Sequence, residues 1–382
     1  MKEALDILII GGGLAGLTAA LHLQQVGLSV TLIEKNEFPQ HKVCGEYISN
    51  EVLPYLNWLN LDITVLKPNP IHQFQLTTRS NTSIATNLPL GGFGISRFEL
   101  DHFLYKQLIK RCVPVIKDRV TNIEFKDDKF FVTMHSGKEI SANQIIGAYG
   151  KRSAIDIKLS RSFIQQASPF LAVKGHYRGN FPNELVAVHN FKGGYCGVSK
   201  VENDIINICY LADYNSFKKY KHIQNYEEKV LYQNKHLEAV FKESTPLFDE
   251  PLVISQLYFG EKKAVENHIL MIGDTAGLIH PLCGNGMAMA MHSAKIASTL
   301  LVKLKLGEIN SREELEHLYT LNWNVEFRSR IKMGRLLASL LRKEKLSSLL
   351  ISGLAKSPYL LNKIIEKTHG KPIVNDGNRY NA

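Results

Sequence analysis

Apolar runs alternate with polar breaks from the first residues. Leu5 to Ile10 (LDILII) is a short apolar run that ends in Gly11-Gly12-Gly13-Leu14-Ala15-Gly16. Leu17 to Val26 carries helix-forming residues and closes at Gly27; Leu28 to Ile33 is a second apolar run with Glu34 at its end. The periodicity predicts strand, Gly-rich turn, helix, strand. After an irregular polar stretch from Asn36 to Tyr47, a helix is expected over Ile48–Leu61, with Pro54 early in it. Strands are expected over Gln73–Thr78 and Ser83–Thr86 around a turn at Ser80-Asn81, then a flexible loop at Gly91–Gly94. Ser96-Arg97-Phe98-Glu99 has the form of a capping box and opens a helix to about Arg111. Val113–Ile116, Val120–Phe125 and Lys129–Met134 alternate like strands, and Gln144–Ala148 reads as a buried strand closing at Gly150.

From Phe170 the texture changes. Short β-rich runs, Leu171–Tyr177, Leu185–Asn190, Tyr195–Val201 and Ile205–Leu211, are separated by turn residues and predict an antiparallel sheet. Tyr226–Phe241 reads as helix. His268–Ile272 is another buried strand, followed by Gly273-Asp274, and helix dominates from Met287 onward.

Composition adds a charge asymmetry. The 382 residues carry a formal net charge of +10, and residues 331–371 alone hold nine Lys/Arg against two acids. There Leu336-Leu337, Leu340-Leu341, Leu349-Leu350-Ile351, Leu360-Leu361 and Ile364-Ile365 alternate with lysine and arginine. Two or three amphipathic helices are expected. Packing on the core with a solvated basic rim is the plainer reading, and peripheral contact with a membrane is the sharper one. Without an aromatic platform or an Arg-rich run, nucleic acid is not expected as a partner. The five cysteines (Cys44, Cys112, Cys196, Cys209, Cys283) are odd in number and scattered, which fits a reducing compartment. The first strand begins close to Met1, leaving no room for a signal peptide, so a cytoplasmic protein is expected, in contact with a membrane only through its tail. No His, Asp or Glu cluster has metal-ligand spacing, and no metal is expected.

The opening segment is the dinucleotide-binding fingerprint in full context. Gly11 permits the tight turn, Gly13 the approach of a pyrophosphate, and Gly16 the close packing of helix on strand. The helix N-terminus faces the phosphates, and Glu34 is placed for a ribose diol. Three later segments join it. They are Ser96-Arg97-Phe98-Glu99-Leu100-Asp101, Gly147-Ala148-Tyr149-Gly150-Lys151-Arg152-Ser153, and Gly273-Asp274-Thr275-Ala276-Gly277 with His280-Pro281 and Gly284-Asn285-Gly286-Met287. In this order, over roughly residues 1–300, they resemble the FAD-dependent oxidoreductases of the p-hydroxybenzoate hydroxylase fold. Within that fold, His41-Lys42-Val43-Cys44-Gly45-Glu46-Tyr47-Ile48-Ser49 resembles the Cys-Gly-acid segment of geranylgeranyl reductases and of flavoprotein monooxygenase-like relatives.

The resemblance implies an α/β chain with a discontinuous Rossmann-like FAD-binding domain (residues 1–72, 95–160 and 262–300). An antiparallel β-sheet substrate domain is inserted (residues 73–94 and 161–261), and a helical C-terminal region follows (residues 301–382). It implies FAD contacts from Gly11, Gly13, Ala15, Gly16, Glu34, Lys35, Cys44, Gly45, Arg97, Gly273, Asp274, Pro281, Gly284, Asn285, Gly286 and Met287. Cys44 and His280 are the catalytic candidates. Only one complete fingerprint is present, so NADPH, NADH or an external reductase is expected to deliver electrons without a second nucleotide domain. Tyr149 stands where many relatives have an aspartate linked to nicotinamide handling. The implied activity is reduction of C=C bonds in an apolar, isoprenoid or lipid-like substrate. One rival is hydroxylation of an aromatic or polyketide by a monooxygenase; another is a lipid- or prenyl-binding protein without redox chemistry. Gly193, Gly194 and Gly197 either leave room for a long substrate or make a plain glycine-rich hairpin.

Overall fold

The computed structural model describes residues 4–374 except residue 81 and residues 343–357. Asn81 of the expected turn and the Leu349-Leu350-Ile351 cluster therefore lie outside the described residues. The chain starts with β1 (Leu5–Ile10), α1 (Leu14–Gln25) and β2 (Val30–Glu34). Leu8 and Ile9 are fully buried because β1 lies between parallel neighbours and is covered on both faces. Burying such side chains contributes roughly 1.5–3 kcal/mol each.

The helix expected over Ile48–Leu61 is shorter, running from a 3-10 turn at Asn50–Val52 to Trp58. Tyr47–Ser49 forms a short strand, β3, and only α2 (Leu53–Trp58) is α-helical, with Pro54 in its first turn. β4 (Asn69–Thr77) and β5 (Ser83–Gly94) follow. The expected loop at Gly91–Gly94 is the end of β5, where Gly92 pairs with both Ser49 and Ile71. These glycines serve close packing. A Cβ on Gly92 would stand 2.4 Å from the Tyr47 ring, and one on Gly94 1.8 Å from the Lys200 carbonyl. The expected boundary between residues 72 and 73 falls inside β4.

α3 (Arg97–Lys110) starts as the capping pattern predicts, but only half the box forms. Ser96 Oγ accepts from Glu99 N at 3.1 Å, while Ser96 N donates to Glu202 Oε2 at 2.8 Å. β6 (Val115–Lys117), β7 (Val120–Lys126), β8 (Lys129–Met134), β9 (Glu139–Gly147) and α4 (Ala154–Lys158) complete this stretch. Four strands follow: β10 (Phe170–Gly179), β11 (Leu185–Phe191), β12 (Gly194–Lys200) and β13 (Ile206–Asp213). The helix expected over Tyr226–Phe241 is broken. After α5 (Tyr214–Lys218), α6 (Ile223–Lys229) and α7 (Lys235–Lys242) are separated at Asn234, whose side chain caps α7 and also donates to Thr77 Oγ1 and Asn190 O. Short strands β14 (Ser244–Pro246), β15 (Leu252–Ser255), β16 (Val265–Glu266) and β17 (Ile269–Met271) precede α8 (Gly286–Lys305), α9 (Arg312–Arg342) and α10 (Pro358–Thr368).

Among the described residues the strands form two sheets. An eight-stranded sheet has the path β16-β17-β9-β1-β2-β6, with β7 and β8 attached as a meander beside β9. A nine-stranded sheet has the path β14-β10-β13-β12-β11-β4-β5-β3, with β15 on β10. α1 packs on the first sheet, α8 packs on α1, and α9 packs on α8. The main core spans the first sheet and these helices, while a smaller core joins the second sheet to Leu361 and Ile365 of α10.

The surroundings of two buried histidines, His22 and His189, and of the half-buried His292 disfavour a charged ring. His22 bonds Tyr55 at 2.7 Å, His189 bonds Thr77 at 2.8 Å, and His292 packs on Phe327. Burial pushes each of them down to about 3. In the unfolded chain they take up protons near pH 6.5. The unfolded state therefore binds more protons between about pH 6.5 and pH 3, and stability falls as pH drops through that window. Glu51, whose carboxyl is pushed up by burial, acts in the opposite sense and offsets part of the loss. Thermal unfolding should show Tm falling below about pH 6.5, and His292→Phe should flatten the slope by about 1 kcal/mol per pH unit.

Candidate active site

The turn between β1 and α1 is built by backbone contact. Gly11 has φ +110, and a Cβ there would stand 2.4 Å from the Ala148 carbonyl. A Cβ on Gly16 would stand 1.9 Å from the Gly11 carbonyl. Gly13 differs, because the nearest atom to its Cβ position is Arg97 Nη2 at 4.0 Å. The space beside Gly13 is open, and α1 begins there with no side-chain cap. Uncapped N–H groups at a helix start with open space in front make an anion cradle. Glu34 closes the end of β2, accepting from Gly12 N at 2.6 Å and Asn36 N at 2.9 Å. Lys35 lines the same cleft.

The facing wall comes from the Gly273–Asp274 turn and the start of α8. Gly273 has φ +58 and sits against Ala15, and Asp274 faces the cleft. Lys262 Nζ donates to Asp274 O and Lys151 O, both at 2.8 Å, and so ties two loops together. Burial pushes Lys262 down to about 8, against the pull of Asp274. Pro281, Gly284, Gly286 and Met287 line the cleft, and α8 begins at Gly286 with no side-chain cap. Arg97 reaches the cleft while held bidentate by Asp101 at 2.7 Å. Burial opposes its charge, but Asp101 outweighs burial and holds the guanidinium proton more firmly than usual.

Cys44 lies where this cleft meets the second sheet. It lines the cavity with Gly45 and Tyr47 from its own segment and Cys209 from β13. Beyond it the lining turns apolar: Phe74, Leu88, Val188, Leu211 and Leu257 come from strands and loops of the second sheet, and Leu361, Ile364 and Ile365 from α10. Cleft and apolar region form one cavity of about 1020 Å³, at the upper end of the roughly 300–1,000 Å³ of small-molecule sites. The glycine-rich hairpin divides between its two readings. Gly193 makes the turn with φ +84, and Gly194 packs against the Leu211 carbonyl. Gly197 faces the cavity, where a Cβ would meet only Cys209 O at 3.7 Å.

Most of the residues expected at the site line this cavity, and three do not. Gly16 is a packing residue beneath the turn. Asn285 is fully buried, and its side chain donates to Glu51 Oε2 at 3.2 Å. His280 is the third residue outside the lining. Its Nδ1 accepts from Leu282 N at 3.4 Å, and its ring packs among Phe170, Tyr195 and Phe259. The side chain folds back to cap its own turn, which removes it from the cavity wall. Among the described residues no group of three or more His, Cys, Asp or Glu could hold a metal ion.

Several contributors were missed in the sequence. Glu46 stands in the segment that carries Cys44, and its carboxylate binds Lys174 and His176 of β10. Two charged positions on one face of an otherwise apolar strand were the available signal, since buried charges need partners. The inward face of α10 was legible as the apolar pairs Leu360-Leu361 and Ile364-Ile365, but not its return to the cavity.

Residues 6–45 match the family described as FAD dependent oxidoreductase. The chain is 27% identical over 348 residues to a digeranylgeranylglycerophospholipid reductase of Methanosarcina acetivorans, covering 85% of this chain and 81% of that protein. It superposes on a flavoprotein/dehydrogenase from Cytophaga hutchinsonii with a TM-score of 0.78 at 18% identity, covering 95% of this chain and 93% of the other. Klebsiella pneumoniae HpxO, complexed with FAD and uric acid, superposes with a TM-score of 0.74 at 14% identity, covering 95% and 96%. The chain has the p-hydroxybenzoate hydroxylase-like flavoprotein fold and is an FAD-dependent oxidoreductase. The open cradle at Gly13, the Glu34 carboxylate and the uncapped starts of α1 and α8 fit that cofactor.

Gly13→Val places a branched side chain where the protein itself leaves room. The variant should fold with wild-type Tm in the absence of flavin and purify with less than a tenth of the wild-type FAD. Asp274→Ala should also lose flavin, though less completely. Absorbance at 450 nm per mole of protein measures both.

Proposed function

We propose that the chain reduces C=C bonds of an isoprenoid or lipid-like substrate. The observation that carries this reading is the continuity of the dinucleotide cleft with a long apolar region, joined at Cys44 and roofed by α10. Bound FAD supplies hydride from its reduced ring. The turn at Gly11–Gly13 and the start of α1 bind the phosphates, and Glu34 takes the ribose. Asp274 and the start of α8 orient the ring end of the cofactor. The strands and α10 lay an apolar chain along the sheet and exclude water. A hydride added to one alkene carbon requires a proton at the other, and Cys44 Sγ holds that proton at the junction. Electrons for the bound cofactor would come from NADPH, NADH or an external reductase, the described residues offering the Gly11–Gly16 turn as their nucleotide cradle. The similarity to a lipid reductase of Methanosarcina acetivorans supports the substrate class.

The surface next to α10 supports a peripheral membrane contact. Along the outer side of α9, Leu321, Val325 and Leu336 are 50%, 70% and 54% exposed. Arg328 and Lys332 fall between them at helical spacing. Tyr359 and Leu360 are 69% and 52% exposed at the start of α10, whose opposite side lines the cavity. Lys363 and Lys367 are exposed on the same helix. Among the described residues no helix is long and apolar enough to cross a membrane.

Under anaerobic conditions, prereduced Cys44→Ala should be reoxidised by a polyprenyl lipid about 100- to 10,000-fold more slowly than wild type, with Cys44→Ser in between. Stopped-flow absorbance reads this step. Wild-type rates in Cys44→Ala would remove the proton-donor role. Incorporation of labelled oxygen into the product would replace reduction by hydroxylation.

Vesicles containing phosphatidylserine should bind the protein more tightly than phosphatidylcholine vesicles. Binding should weaken between 50 and 500 mM salt, because screening acts over roughly 8 Å at physiological ionic strength. Val325→Asp with Leu336→Asp should lower sedimentation with vesicles at least several-fold. Equal binding to both lipids would count against this surface.

A further inference from the structure

Glycine inside a strand costs stability, and it persists there for a bulge, a close backbone neighbour or a close ligand. Gly197 stands in the middle of β12. Its pairing is regular on both sides, with Val188 of β11 and Cys209 of β13, so no bulge requires it. Its φ lies outside the left-handed region, and a Cβ there would meet only Cys209 O at 3.7 Å, an ordinary contact. Gly194 on the same strand is the opposite case, because its Cβ would stand 2.0 Å from Leu211 O. The fold requires Gly194 and gives no reason for Gly197.

The other glycines sort in the same way. Among the described glycines without a left-handed φ, all but four have another atom within 3.1 Å of the Cβ position. The four are Gly13 (4.0 Å), Gly286 (3.7 Å), Gly197 (3.7 Å) and Gly45, which has nothing within 4 Å. All four line the same cavity. Gly13 and Gly286 stand at the starts of α1 and α8, where the cofactor is expected, and Gly45 adjoins Cys44. Of the four, only Gly197 lies on the second sheet.

The register shows what Gly197 faces. Residues paired across neighbouring strands share a face. Cys209, Gly197, Val188 and Leu76 are paired in turn across β13, β12, β11 and β4, and each lines the cavity. With strands roughly 4.8 Å apart, this row spans about 14 Å. At one end Asn207, two residues before Cys209, donates to Cys44 O at 3.3 Å. Beyond the other end lies β5, where Thr86 Oγ1 donates to Asn362 Oδ1 of α10 at 2.7 Å. A chain that reaches Cys44 from beneath α10 crosses this row, and the missing side chain leaves a hollow in its apolar floor.

We propose that Gly197 is the specificity-determining residue for the chain: its bare backbone forms the hollow that admits a methyl-branched C=C past Cys209 to Cys44. This rests on the reading of an isoprenoid substrate. The methyl carried at each isoprenoid double bond needs that space, and a smooth linear chain does not. A side chain at Gly197 fills the hollow with its own carbons.

The test uses lipid-free, FAD-loaded protein. Gly197→Ala should raise Tm by about 1–2 °C, because alanine costs a strand less than glycine, and Gly194→Ala should lower it. FAD content should stay at the wild-type level in Gly197→Ala and Gly197→Val. Equilibrium dialysis with radiolabelled geranylgeraniol, and with a linear alcohol of equal carbon number, then measures binding. Gly197→Val should weaken geranylgeraniol about tenfold or more, and the linear alcohol less than about threefold. A lower Tm in Gly197→Ala would give this glycine a role in the fold and overturn the proposal. So would loss of FAD from Gly197→Val, wild-type affinity for geranylgeraniol in that variant, or equal losses on both alcohols. A wild type that binds neither alcohol would remove the isoprenoid reading itself, and the proposal with it.

Discussion

The first turn of α1 rests on the end of β1 with no room for a Cβ, and the site follows from that contact. Gly16 stands over the Gly11 carbonyl, and Gly11 stands over the Ala148 carbonyl at the end of β9. Three backbone segments therefore converge within van der Waals distance. Their convergence aims the uncapped start of α1 across the carboxyl ends of the parallel strands, where ligands of open α/β sheets bind. Any side chain at Gly11 or Gly16 would lift the helix and disperse its N–H groups.

A second constraint joins the two sheets. Two buried carboxylates, Glu46 and Glu51, flank the short strand β3. Glu46 fixes the Cys44 segment to β10 and to the start of α3. Glu51 accepts from Asn285, at the turn before α8, and from Gly370, just beyond α10, while its carbonyl accepts from Ile373. Arg330 of α9 stands 3.6 Å from the same carboxylate. The flavin-side turn and the roof of the apolar region are thus tied to one side chain. Burying a carboxylate costs several kcal/mol unless it is paired and fully hydrogen-bonded, so such groups persist where they fix geometry.

How much was legible depended on whether the signal was local. β1, α1 and β2 announce themselves through glycine spacing and apolar runs; β1 has the expected bounds, and those of α1 and β2 differ by one to three residues. The four strands β10 to β13 were readable from alternation and turns. Tyr47–Ser49 was not, because a three-residue strand exists only through its pairing with β5. Gly91–Gly94 looked like a loop because glycine signals freedom locally, whereas here it admits a neighbouring ring and a carbonyl. The direction of the His280 side chain was not legible either: it depends on its own turn and on three aromatic rings, two of them from the second sheet.

The sequence by itself determined the dinucleotide cradle, the alternation of α/β and β segments, the basic charge of the tail and the chemistry available at Cys44. These reside in spacing, φ requirements and residue type, all carried by neighbours along the chain. The tertiary structure alone decided that Glu46 meets Lys174 and His176, that Gly197 opens onto the cavity, and that α10 returns to roof it with Leu361, Ile364 and Ile365. Such pairings join residues more than a hundred positions apart. Their energies arise from excluding water between surfaces that local periodicity does not match to one another.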